Sequence, residues 1–312
     1  MSSSTATPTP TVHLGPDQPP LLVDAITAGG GQLTGLHDAD AVVWTGAPSD
    51  FPTLPTQVRW VQLPSAGVET WFRSGVVDAG SDRVWTSAAG AYADSVAEHA
   101  LALLLAGVRA LPGQLAATSW DQAGFGAQVR TLRGSLVAIV GCGGIGRALI
   151  PLLSAVGAHT LAVTRSGRPV PGAVETLPAE RTAEVWGRAD HVVLGAPATG
   201  QTKYLLGEPE LAQMKSTAWV VNIARGSLID TDALVEALNQ GRIGGAALDV
   251  TEPEPLPDGH PLWALPNAII TPHVANPPSA LAPAFAQHVS DNVSRFARGQ
   301  VLAAVIDPAS GY

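Results

Sequence analysis

Cysteine is nearly missing from this chain: Cys142 stands alone among 312 residues, which excludes an internal disulfide and points to a reducing, cytoplasmic setting. Charge is sparse as well. Only 14% of the residues are charged against 46% hydrophobic, a balance that excludes a disordered chain and fits a well-packed globular one. Positive charge is the scarcer sign. The formal net charge is −9, with no basic stripe to offset it, which argues against a nucleic-acid partner. Long apolar runs are absent too. The longest, residues 100–108, falls far short of a membrane span and is bracketed by Glu98, His99 and Arg109. Residues 1–11 carry neither the basic start nor the apolar run of a signal peptide and read as a frayed tail. No membrane partner is therefore expected, no internal repeat is visible, and no residues are assigned to a metal.

What is present is an alternation of strands and helices. A chain of 312 residues exceeds one typical core, so two domains are expected. Short apolar runs at 21–24, 41–44 and 58–63, separated by Gly, Pro and Asp, suit buried parallel strands. Ser95, with Glu98 three residues on, has capping-box spacing and opens a buried helix over 96–108 that ends near 111–113. Further strands are predicted at 136–140, 161–164, 191–194, 219–222, 246–250 and 268–271, with helices at 147–156, 208–214 and 231–238. That order predicts an α/β chain with a doubly wound parallel sheet over 136–271. The last helix, 281–297, lies beyond that sheet and is expected to return to the first domain, making it discontinuous.

The most informative block is GCGGIG at 141–146, where Gly141, Gly143 and Gly146 form G-x-G-x-x-G between a predicted strand and helix. The chemistry asks for a tight turn, close backbone approach to a pyrophosphate, and a helix N-terminus offering N–H groups to phosphate. Gly144 and Ile145 complete that turn. Cys142 reads as a small buried residue within it. The next strand chooses the cofactor. An NAD enzyme places a carboxylate at its end to accept from the ribose hydroxyl. Here the run is AVTRSGR, 162–168, where Thr164, Arg165, Ser166 and Arg168 offer hydroxyls and guanidinium groups to a 2′-phosphate. NADP(H) is favoured, with NAD(H) left as the alternative.

Three later segments each follow a predicted strand: NIARG at 222–226, LDVTEPEPLP at 248–257 and TPHV at 271–274. Ligands of open parallel sheets bind beyond the carboxyl ends of the strands, so Arg225, a glutamate and His273 are expected beside the nicotinamide. Two carboxylates compete for the glutamate role, Glu252 and Glu254.

The glycine turn and these three segments, in this order, resemble the D-isomer-specific 2-hydroxyacid dehydrogenases, which include glyoxylate/hydroxypyruvate reductases. VAEHA at 96–100 looks like that family's interdomain helix. LPSAGV at 63–68 looks like its substrate-carboxylate loop, and PATGQT at 197–202 is similar to its cofactor-side segment. The resemblance implies two Rossmann-like and flavodoxin-like domains with the active site in the cleft between them. Residues 1–97 and 281–312 would bind substrate and 98–280 the dinucleotide. It implies a homodimer and a small 2-keto or 2-hydroxy acid as substrate. Arg225, Glu254 and His273 would be the catalytic set, Glu254 being selected because it directly precedes the Pro-Leu-Pro run. Asp249 would face the nicotinamide carboxamide, or alternatively cap the strand end. Pro197, Thr202 and Ala224 would line the cofactor, while Ala66 and Gly67 would offer N–H groups to the substrate carboxylate beside Arg225.

Two departures stand out: Gly144 occupies a position where many relatives carry Arg, and NPP at 276–278 follows the histidine. Formate and phosphite dehydrogenases share the architecture, although formate dehydrogenases have Gln where Glu254 stands. Some relatives act as dinucleotide-sensing corepressors, which gives a rival of a different class.

Overall fold

The computed structural model of the protein describes residues 9–77, 80 and 82–307. Residues 1–8 of the expected tail and 308–312 of the expected substrate-binding domain therefore lie outside the described residues. Contacts divide the chain into two compact units, one running to Tyr92 and resuming at Pro277, the other spanning Ala93–Asn276. The boundaries fall a few residues before the expected 97/98 and 280/281. Both differences have one cause: each boundary helix joins its unit whole, from Ala93 and from Pro278 respectively.

The first unit holds a five-stranded parallel sheet: β1 (Thr11–Gly15), β2 (Gln32–Leu33), β3 (Ala41–Trp44), β4 (Trp60–Gln62) and β5 (Val84–Thr86), in the order β2-β1-β3-β4-β5. This is the flavodoxin-like doubly wound order. Thr11 opens β1 rather than ending a tail. The strand expected at 21–24 is instead part of the helix Pro20–Ala28. Pro20 suits a first helical turn, and Leu22, Ala25 and Ile26 fall at helical spacing on its buried face. A four-residue apolar run does not carry enough periodicity to separate the two states.

Helix Pro278–Ala297 packs on this sheet: Phe285, Val289 and Val293 share one apolar core with Val12, Leu14, Ile26 and Trp60. A buried polar network reinforces the join. Asn292 Nδ2 donates to Gln62 Oε1 at 2.9 Å, and Gln62 Nε2 donates to the Ser87 carbonyl at 3.0 Å. Gln62 and Asn292 are fully buried, so each must find partners inside.

The second unit holds a seven-stranded sheet: β6 (Leu136–Val140), β7 (His159–Thr164), β8 (Glu175–Pro178), β9 (His191–Leu194), β10 (Trp219–Asn222), β11 (Gly245–Leu248) and β12 (Ala268–Ile270). The order is β12-β11-β10-β9-β6-β7-β8 and every pairing is parallel. Strands β6, β9, β10 and β11 are buried almost throughout, as a sheet covered on both faces requires. The order reverses between β6 and β9, which is where ligands of doubly wound sheets sit. Among the described residues, no helix is long and apolar enough to cross a membrane.

Helix Ala93–Val108 starts two residues before the expected cap. Ser95 is therefore inside the helix, and its hydroxyl donates to the Ala275 carbonyl at 2.9 Å instead of capping.

One buried histidine makes the stability of the second unit pH-dependent. His191 is 5% exposed, and its Nδ1 accepts from the Trp219 N–H at 3.2 Å. Burial pushes its imidazole from 6.5 down to about 4, against partial opposition from Asp190. Between those values the unfolded chain takes up a proton that the folded chain refuses. The stability is fully present above the unfolded value and is lost as pH falls toward the folded one. Urea titrations of wild type and His191→Gln should show their stability gap shrinking by about 2–3 kcal/mol from about pH 7 to about pH 4.5. A gap that does not change with pH would assign the acid sensitivity elsewhere.

Candidate active site

The glycine turn follows β6 at the sheet's switch point. Gly141 has φ +91°, and a Cβ there would lie 2.2 Å from the Ala196 N, two residues past the end of β9. Only glycine satisfies both the left-handed backbone and that approach. Nothing lies within 4 Å of a Cβ placed on Gly143, so the backbone is open where a pyrophosphate would approach. The helix runs Gly144–Ala155, three residues earlier than the expected start at 147. The N–H groups of Gly144, Ile145 and Gly146 thus form its first turn, without partners four residues back inside the helix. Cys142 is buried, and burial pushes its thiol up, which suits a packing residue.

At the end of β7, Thr164 Oγ1 accepts from the Gly167 N–H at 3.1 Å and Ser166 Oγ from the Arg168 N–H at 3.4 Å. The two hydroxyls shape the turn that carries Arg165 and Arg168, both exposed. No carboxylate occurs between Thr164 and Arg168. In the segment after β9, Thr202 Oγ1 donates to the Pro197 carbonyl at 2.7 Å and accepts from the Thr199 N–H at 2.8 Å, closing the 197–202 turn. These features fit a dinucleotide with its phosphates on the first turn of the helix.

Arg225, Glu254 and His273 follow three neighbouring strands whose last residues are register partners: Asn222 pairs with Leu248, and Leu248 with Ile270. Arg225 is half-buried, and its Nη1 donates to the Ala224 carbonyl at 2.7 Å. Its loop is set by Asn222, fully buried, whose Oδ1 accepts from the Ala224 N–H at 3.1 Å while its Nδ2 donates to the Arg225 carbonyl at 2.8 Å. Gly226 lets this loop press on the next one, since a Cβ there would sit 1.9 Å from the Thr251 carbonyl oxygen.

His273 Nδ1 lies 2.7 Å from Glu254 Oε1, so of the two candidate glutamates the histidine meets Glu254. The carboxylate accepts, which places a proton on Nδ1 and leaves Nε2 to exchange one with a ligand. His273 takes φ +53°, held by its N–H donating to the Asp249 carbonyl at 2.8 Å and the Thr271 carbonyl at 3.0 Å.

Asp249 caps backbone N–H groups of the loop after β12. It is 2% exposed; its Oδ1 accepts from Thr271 Oγ1 at 2.6 Å and the Val274 N–H at 2.9 Å, and its Oδ2 from the Ala275 N–H at 3.1 Å. Burial pushes its carboxyl up, but hydrogen bonds from His99, Thr271 and the two N–H groups outweigh that and hold it down to about 2.

In the first unit, the loop 63–68 leaves the end of β4 as a braced turn. Ser65 Oγ donates to the Gly67 carbonyl at 2.6 Å and accepts from Trp71 Nε1 at 3.0 Å, with Ala66 exposed and Gly67 half-buried. Sequence reasoning missed Asn222, Thr271 and His99 as organisers of the site. Asn222 and Thr271 were visible as polar residues closing apolar strands, a local signal for side-chain-to-backbone bonding. His99 had no such signal.

Comparison with known proteins identifies the family. Residues 100–275 match the family model described as the NAD-binding domain of D-isomer-specific 2-hydroxyacid dehydrogenases. An uncharacterised protein of Corynebacterium melassecola is 40% identical over 92% of this chain and 95% of its own length. A glyoxylate reductase of Pyrococcus furiosus is 36% identical over 67% of this chain and 64% of its own. Among solved structures, an NADPH-dependent glyoxylate/hydroxypyruvate reductase of Sinorhizobium meliloti, in complex with NADP and sulfate, aligns over 97% of this chain and all of its own. The TM-score is 0.77 and the identity 26%.

Proposed function

Because the chain belongs to the D-isomer-specific 2-hydroxyacid dehydrogenase family, we propose that it reduces a small 2-keto acid to the D-2-hydroxy acid, with His273 as the proton donor. It is an NAD(P)-dependent oxidoreductase of the CH–OH class, and neither a corepressor nor a formate-type enzyme is favoured by its relatives. The observation that carries the reading is the bond of 2.7 Å between His273 Nδ1 and Glu254 Oε1, on strand ends downstream of a glycine turn.

When bound, the nicotinamide would supply the hydride for C2. Arg225 holds the substrate carboxylate and polarises the keto oxygen, two tasks that one planar guanidinium can combine. The N–H groups of Ala66 and Gly67 are the proposed partners of the other carboxylate oxygen. His273, as imidazolium, gives its Nε2 proton to the oxygen as C2 becomes tetrahedral; in the reverse direction neutral Nε2 takes it back. Glu254 orients the ring and balances its charge. Asp249 is proposed to act through the backbone it clamps. Gly141, Gly143, Gly144, Ile145 and Gly146 would hold the phosphates, while Pro197, Thr202 and Ala224 would line the dinucleotide.

NADP(H) is the proposed preference, supported by Thr164, Arg165, Ser166 and Arg168 without a carboxylate among them. A homodimer in the cytoplasm completes the reading, and light scattering of the purified protein reads the former.

The test is a panel of 2-keto acids (glyoxylate, hydroxypyruvate, pyruvate and an aryl pyruvate) assayed with both reduced cofactors. Turnover of at least one acid is expected, faster with NADPH. Tight NADPH binding with no turnover across the panel would overturn the enzyme reading. In the same assay, Arg165→Ser should raise the KM for NADPH about tenfold and leave that for NADH nearly unchanged. Equal losses would remove the phosphate role.

A further inference from the structure

Helix Ala93–Val108 presents two polar side chains, Ser95 and His99, one turn apart on the same face. Both reach the segment that carries His273. Ser95 Oγ donates to the Ala275 carbonyl at 2.9 Å, and His99 Nε2 lies 3.0 Å from Thr271 Oγ1 and 3.4 Å from Asp249 Oδ1. Thr271 has a single hydroxyl proton, and Asp249 Oδ1, at 2.6 Å, is the acceptor that takes it. The Thr271 oxygen therefore accepts from His99, so His99 must carry its proton on Nε2. Directionality then runs one way: the His99 N–H donates to Thr271, with Asp249 Oδ1 as its longer second acceptor, Thr271 donates to Asp249, and Asp249 accepts the N–H groups of Val274 and Ala275 at 2.9 and 3.1 Å. The Asp249 main-chain carbonyl meanwhile takes the His273 N–H at 2.8 Å.

The segment so held needs holding. His273 sits at φ +53°, a conformation that costs a β-carbon residue energy and persists only where its surroundings impose it. Glu254 orients the imidazole from the side-chain end, through Nδ1. Nothing in that contact fixes the backbone from which the ring projects. The carboxylate of Asp249 does so for the two residues after His273, and its own position is set from the helix.

We infer that His99 and Thr271 are positioning residues for proton transfer: their donor relay locks Asp249, which fixes the left-handed backbone of His273 and so the reach of its Nε2. Neither touches a reacting atom. The inference rests on the reading of His273 as the proton donor, and the relay lies wholly within the second unit.

The experiment compares Thr271→Val, Thr271→Ser, His99→Leu, His99→Gln and the double variant Thr271→Val/His99→Leu with wild type and His273→Ala. The substrate is the 2-keto acid that wild type reduces fastest. NADPH binding is followed by fluorescence, and thermal melts check the fold. Valine keeps the shape of threonine and removes the hydroxyl; serine keeps the hydroxyl. A small displacement of a positioned group is costly, so Thr271→Val and His99→Leu should each lower kcat by about 10- to 100-fold, with NADPH affinity within about twofold. The double variant should lose little more than either single one, because both break the same relay. Thr271→Ser and His99→Gln should recover most of the rate.

If His273→Ala loses activity but Thr271→Val and His99→Leu keep wild-type kcat, the relay is overturned and the role of His273 stands. A serine variant as slow as the valine variant would also overturn the relay, since the methyl group rather than the hydroxyl would then matter. Wild-type turnover in His273→Ala would instead remove the reading on which the inference rests. Should Thr271→Val fail to fold, the His99 pair decides alone, because that side chain is partly exposed, at 22%, and its loss leaves less unfilled space.

Discussion

Replacing His273 by alanine is expected to lower kcat by about 10²- to 10⁴-fold, the range for loss of a positioned general acid. The binding of NADPH should change little. The argument begins with the proton inventory of the ring. Nδ1 is committed to Glu254 at 2.7 Å, so only Nε2 is left to serve the substrate oxygen. Reduction of a ketone without a proton donor leaves an alkoxide, and in the proposed mechanism the imidazolium prevents it. The cofactor turn lies elsewhere in the unit, after β6, and owes nothing to this side chain. Steady-state kinetics together with NADPH titration separate the two effects. An unchanged kcat would remove His273 from the chemistry, whereas a matching loss of NADPH affinity would make it a structural residue.

Arg225→Lys is expected to lower kcat/KM by about 10²- to 10³-fold, although the charge is retained. Lysine is a point donor on a flexible stem, and it cannot bind a carboxylate and polarise a carbonyl in one plane. The fold invests in the geometry of this loop. Asn222 bonds to both the Ala224 N–H and the Arg225 carbonyl, and Gly226 allows the loop to press against Thr251. Such bracing serves a group whose direction matters. Kinetics with the best 2-keto acid would check this, and a lysine variant within a few-fold of wild type would reduce the role of Arg225 to charge alone.

The second unit was largely legible in the sequence because its signals are local. Buried parallel strands are continuous apolar runs, and β6, β9 and β10 have the expected limits. The glycine turn has only one backbone solution between such a strand and a helix. Bounds moved where capping decides them: the helix after the turn starts at Gly144 because the glycines themselves form its first turn. The first unit was harder to read. The run at 21–24 is too short to carry a period, and its helical state is settled by the core it shares with residues more than 260 positions later, such as Phe285 and Val289. The same limit explains the site. Glu254 and His273 are close in sequence to recognisable strand ends. The link from His99 to Thr271 spans 172 positions, and no pattern in either neighbourhood announces it.

The discontinuity of the first unit has a consequence for biogenesis. Its sheet strands leave the ribosome first, yet the helix carrying Phe285, Val289, Asn292 and Val293, which completes their core, is made only after the whole 93–276 unit. Domains tend to fold as they emerge, so the nucleotide-binding unit is set to finish before the first unit. During that interval β1, β3 and β4 wait with apolar surface uncovered. Translation that stops short of residue 285 would leave a competent dinucleotide fold attached to an unfinished sheet, the kind of species that chaperones and proteases act on.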